Sequence, residues 1–565
     1  MCSSDLTTLN LNADSGSLTY CTTANCATPI NTGISIAGNG DVTLPINTTF
    51  YKIIYTPKSQ NQAVLSSDVN ITSTTNTFNS SSINNNVLSS LTVSGSGTTT
   101  LNGSITTSGT QSFTGPVTLG AASTLTTTNS NVTFSSTVNG NYGLTVAAGT
   151  GDTTFTGAIG GSTALNGLTV TTGALTAANI GLQSSAGLSV TNSASSSITG
   201  VISGTSSTLT KAGSGTLTLS GSNTYTGATT VSAGTLAVTA NNALGTNAAG
   251  TTVASGATLD LQNVTYSTTE ALTVNGGTIK TSTGTSAVAG AITLGANSTF
   301  DVGGTQLTAS GNITDGANTF GITKTSSGKL ILSNSTNSYD GATTISAGTL
   351  EVSGQLNSGS YASNISNAGS LTYSSSSDQT LSGIISGVGT VTKSGSSTLT
   401  LSGTNTYTGG TTISVGTLKI GNATALGGNS GAASITSGAV LDLNGTTMTN
   451  TNALTVNGTG ISSGGAIINS SSTGATYAGL LTLGSASSII GGTGTITLSN
   501  TGTINGGYGL TLGGAQGGTV TSIIGTGANA LTKQDNGTWT LSGTNTYTGA
   551  TTVSDRKSTR LNSSH

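Results

Sequence analysis

A stretch that opens "LTKAGSGTLTLSGSNTYTGATTVSAGTL" at Leu209 returns without a gap at Val391. Leu209–Gly276 aligns end to end with Val391–Gly458, and the two are identical at 39 of 68 positions. The opening recurs at Ile322, where one residue is inserted between Lys324 and Tyr339, and at Leu531, where it breaks off. A chain of this kind grows by adding modules, so each module must template the next.

A shorter period lies inside the long one. Leu217, Leu236, Leu259, Ile279 and Phe300 each open an alternating apolar stretch, at nearly even steps along the chain. Alternation marks half-buried strands. A strand at every such step, with Gly or Asn corners between, predicts a β-solenoid whose coils bury their aliphatic residues only by stacking. The fold expected is all-β, a parallel β-helix rod with coils of about 20 residues. Inward residues are odd-numbered up to Val231 and even-numbered from Leu236, so Gly234 is read as a corner that needs unusual φ. Asn in "SGSN" (220–223) is read as a corner residue that tolerates the left-handed region.

Composition supports strands over disorder. Only 5% of residues are charged and the net charge is −3, while Thr and Val abound and only four prolines occur. β-Branched residues suit the pleated backbone. No basic patch points to nucleic acid, and no apolar run is long enough for a membrane span.

The two ends differ from the rest. "MCSSDL" (1–6) and "DRKSTRLNSSH" (555–565) resemble translated sequencing-adapter sequence. The second of these holds the chain's only histidine, His565. Both are read as foreign, and the chain as a fragment of a longer protein. Between them, 7–89 reads as an irregular β-rich segment and 90–208 as haemagglutinin-like β-solenoid. Residues 209–554 read as β-solenoid carrying repeats at 209–238, 322–352, 391–420 and 531–554. Cys21 and Cys26 are spaced for a small disulfide loop, which is left open.

The repeat pattern is Lys, then G-x-L-x-L-x-G, N-x-Y-x-G-x-T-x-[VI] and G-T-L. It closely resembles the passenger-associated transport repeat, also called the autotransporter-associated β-strand repeat. That resemblance implies a secreted passenger of a Gram-negative autotransporter, displayed at the cell surface and folded as a right-handed parallel β-helix. It also implies an outer-membrane translocator barrel as partner and a role in passenger folding during export. Adhesion to host or cell-surface ligands is the expected use, with the stalk of an enzyme whose catalytic module lies elsewhere as the alternative.

Catalytic chemistry is not expected, and neither is a cofactor. Outside the tail there is neither His nor Arg, so a Ser-His-Asp site or a His-based zinc site has no residues to build it. Lys211, Lys324, Lys393 and Lys533 are read as solvated charges beside a strand start, not as Ser-Lys bases. Tyr225, Tyr339, Tyr407 and Tyr547 are read as packing over a corner, not as glycan-stacking platforms. Asp260 and Asp442, each between two inward leucines, are expected to point out into solvent. Trp539, which replaces the leucine of the other copies, is expected in the core.

Overall fold

A computed structural model describes residues 90–554 in full, and before residue 90 only the backbone of short strands. The 1–6 segment, the Cys21 and Cys26 side chains and the 555–565 tail lie outside the described residues. The chain divides into two compact units, Met1–Ile279 and Lys280–His565.

In the first unit the strands before Ser67 pair antiparallel, while from Leu88 onward short strands pair in parallel with those one coil earlier and one coil later. Leu168, Leu188 and Leu209 stack in register, as do Leu217, Leu236 and Leu259. These residues are at most 1% exposed. The chain is thus a parallel β-solenoid, with the coil length that the alternation predicts. Three aromatic rings occupy one inward column. Phe113, Phe134 and Phe155 stack at centroid separations of 5.2 and 4.7 Å. Their parallel register puts like on like, and ring stacking adds to the burial each gains.

Up to Ile202–Ser203 each coil has three strand faces. Inside the first repeat the third face loses its strand: residues 220–227 run through bends and unassigned backbone, and a third strand returns at Thr265–Tyr266. Backbone bonds such as Thr224 N–H to the Ile202 carbonyl still join the coils there, and the repeat places polar side chains on that stretch.

The second unit follows the same plan. Leu307, Leu330, Leu350, Leu371 and Val391 form one buried column across five strands. Among the described residues the only helical turns are Asn357–Gly359 and Ile461–Ser463, both 3-10. No helix among them is long and apolar enough to cross a membrane.

Gly234 meets its expected role. Its φ is +65°, and a Cβ there would lie 2.4 Å from the Gly213 carbonyl oxygen and 2.5 Å from that of Gly215. Left-handed backbone and close approach of the preceding coil both demand glycine. Asn223 does not take the left-handed conformation expected of it; Asn242 does, at φ +62°. The side chain of Asn223 is spent on other bonds, described below.

Candidate functional site

Strand Thr208–Ala212 stacks between Gly187–Asn192 and Thr229–Val231. That register sets Lys211 between Val190 and Val231, in the inward column. Expected as a solvated charge, Lys211 is instead 0% exposed, and so are Lys324 and Lys393. The correction has a simple cause. A four-carbon stem fills the column like an aliphatic residue, and the ammonium reaches the corner, where carbonyls point inward and need donors.

Lys211 Nζ donates to the carbonyls of Ala212 at 2.7 Å, Gly213 at 2.9 Å and Ala233 at 3.1 Å. Lys324 repeats the set with Thr325 at 2.7 Å, Ser326 at 2.8 Å and Ala347 at 3.3 Å. Lys393 donates to Gly395, and to Val415 at 3.2 Å, with Nζ 5.8 Å from the Tyr373 ring centroid. The last acceptor in each set precedes the G-T-L glycine of the next coil. Lysine, with three donors and no acceptor, suits this trio. Burial lowers the ammonium of all three to about 8, opposed at Lys324 by Asp301 and at Lys393 by Asp378. They remain cations at neutral pH. Among the described residues Lys533 donates to the carbonyls of Gln534 and Asp535 and is half-buried; the position of the third acceptor, 555, lies outside the described residues.

In the stretch of each repeat that has no strand, asparagine adds side-chain bonds between coils to the backbone bonds. Asn223 Oδ1 accepts from the Ile202 amide at 2.8 Å, and its Nδ2 donates to the Ala243 carbonyl at 2.5 Å. The bond partners lie one coil before and one coil after. Asn405 does the same with Ile385 and Ala425, both at 2.8 Å, and Asn337 with Ile313 and Gln355. Asn545 accepts from Ile524 at 2.8 Å. Sequence reasoning missed this rivet, although its fourfold recurrence two positions before the tyrosine was the available signal.

The tyrosines are more buried than packing over a corner implies. Tyr225, Tyr339 and Tyr407 are at most 1% exposed, and burial raises each phenol. Each hydroxyl bonds the threonine one strand-length on (Thr229, Thr343 and Thr411), at 2.6, 3.1 and 2.7 Å, and Tyr547 bonds Thr551 at 2.8 Å. None of the three buried rings offers a face to a glycan.

One further expectation needs correction. Asp260 and Asp442 leave the leucine side of their strands as alternation requires, yet they are 4% and 3% exposed. Neighbouring residues cover them: Gln262 donates to Asp260, while Ser470, the Asn444 amide and Lys419 serve Asp442. Trp539 takes the inward column of Ala475, Ile496 and Gly518 and is half-buried at the edge of the described residues. It sits over Gly518 on the last described coils and donates Nε1–H to the Gly513 carbonyl at 3.0 Å.

The family model for the passenger-associated-transport-repeat matches residues 209–238, 322–352, 391–420 and 531–555. These four stretches are passenger-associated-transport repeats. They cover about a fifth of the chain. The last match runs one residue into the tail read as foreign. No curated protein and no solved structure matches the chain.

The passenger-associated-transport repeat implies an autotransporter passenger. Its Lys and Asn side chains bond from one coil to another, its buried Tyr bonds a Thr four residues on, and its Gly234 permits a corner. The repeat lysines find backbone carbonyls, not a serine hydroxyl, as hydrogen-bond acceptors. Among the described residues no group of three or more His, Cys, Asp or Glu could hold a metal.

Proposed function

We propose that this chain is the structural stalk of a surface-displayed autotransporter passenger, and that its repeats lock successive coils during export. The observation that carries this is the match of four stretches to the passenger-associated-transport repeat, three of which bury the same lysine on corner carbonyls. A chain folding coil by coil needs each new coil fastened to the last. Lys and Asn add that fastening to the backbone bonds between coils.

The adhesive reading rests on the outward face. Eight coils of the first unit, from Thr124 to Thr273, align seven threonines and one serine in a single outward column. Many weak, equally spaced polar contacts suit multivalent attachment. The partner for export is an outer-membrane translocator barrel.

Fusing the chain between a secretion signal and a translocator barrel in a Gram-negative host tests the proposal. Protease treatment of intact cells then reads surface arrival and folding. A resistant core that appears more slowly when the repeat lysines and asparagines are replaced supports it. Unchanged export of a chain lacking all four repeats overturns it.

A further inference from the structure

Glu270 belongs to no repeat position. It follows the first repeat, between Tyr266 and Leu272, and is 3% exposed. Oε1 accepts from Thr251 Oγ1 at 2.8 Å, while Oε2 has no hydrogen-bond partner. The titratable groups that face it are Tyr225 and Tyr266, both phenols raised by burial. No cation is among them. An ionised carboxylate in this place is buried and uncompensated.

The internal duplication shows what that position requires. Asn452 stands at the equivalent place in the second copy and is 1% exposed. Its Nδ2 donates to the carbonyls of Gly428 at 2.6 Å and Gly431 at 2.7 Å, the counterparts of Thr246 and Ala249. Its Oδ1 has no partner. Buried Asn192 and Asn367 repeat the arrangement, with the amide nitrogen bonded to backbone carbonyls and the oxygen unpartnered. These interior sites offer acceptors and ask for donors. A carboxylate has no donor; a carboxylic acid has one.

We infer that Glu270 stands in the folded coil as a neutral carboxylic acid, its Oε2–H taking the place of the Asn452 amide, and that its ionisation loosens the 242–273 segment. Burial pushes this carboxyl up to about 7 from 4.5, against the pull of the Thr251 bond. The folded coil therefore holds the proton more tightly than the opened one. Stability is greatest below pH 4.5, falls as pH rises towards 7, and is flat above.

Hydrogen exchange read by mass spectrometry on the full chain between pH 5 and 8, corrected for intrinsic rate, tests this. Protection in 242–253 and 271–275 is expected to fall tens of fold (roughly) with rising pH. The counterparts 424–435 and 453–457 are expected to change little. Glu270→Gln should keep 242–275 protected at both pH values. An equal response of the two segments, or a response that survives in Glu270→Gln, overturns the inference. Should the Gln variant fail to fold, the comparison of the two segments within the wild-type chain still decides.

Discussion

Lys211 Nζ lies 3.1 Å from the carbonyl oxygen of Ala233, one coil further along the chain. The residue after Ala233 is Gly234, whose left-handed φ makes the corner. The lysine near the start of the repeat thus fastens the corner near its end, and the same bond joins Lys324 to Ala347 and Lys393 to Val415.

Replacing Lys393 with Met keeps the stem and removes the donors. The Gly395 and Val415 carbonyls then lose a buried partner, at a cost of about 1–3 kcal/mol each. Hydrogen exchange should quicken at the amides around 394–397 and 414–417 before it quickens elsewhere. Lys533→Met should do less, because Lys533 is half-exposed.

Asn405→Leu leaves the Ile385 amide and the Ala425 carbonyl, one coil before and one coil after, without their side-chain partner. Each orphaned group costs about 1–3 kcal/mol. Limited proteolysis should cut near 403–409 in the variant and not in the parent chain.

Leu236 is 0% exposed, and its neighbour Thr235 is half-exposed. Leu236→Asp drives a charge into the stack and should cost several kcal/mol (roughly), opening adjacent coils. Thr235→Asp should leave thermal stability nearly unchanged. Equal protease resistance of the two variants would contradict the strand register.

The alkaline limb carries a sign. Lys211, Lys324 and Lys393 have folded values near 8 against 10.5 when unfolded, so the folded state releases its protons first. Stability should be flat with respect to these groups below pH 8 and rise from 8 to 10.5. Urea midpoints across that window check it. A fall that disappears in the triple Lys→Met chain would show that the carbonyl bonds outweigh burial.

The fold was legible because it is local and periodic. Apolar alternation at nearly even steps implies stacked coils, and the parity change at Gly234 locates a corner before any coordinate is known. The Leu217, Leu236 and Leu259 column stands as the pattern requires.

The polar residues were another matter. Sequence by itself determined a parallel β-solenoid, its period, its apolar columns and the four repeats. The parity that turns Leu209 inward also turns Lys211 inward; only the tertiary structure decided that corner carbonyls meet its ammonium there, that Asn223 bridges coils and that Asp260 is covered. The physical reason is that a lysine in a strand has the same sequence signature whether its face meets water or a ring of carbonyls. Which one it meets depends on where the corners of the coils before and after place their backbone oxygens, a whole coil away along the chain on either side.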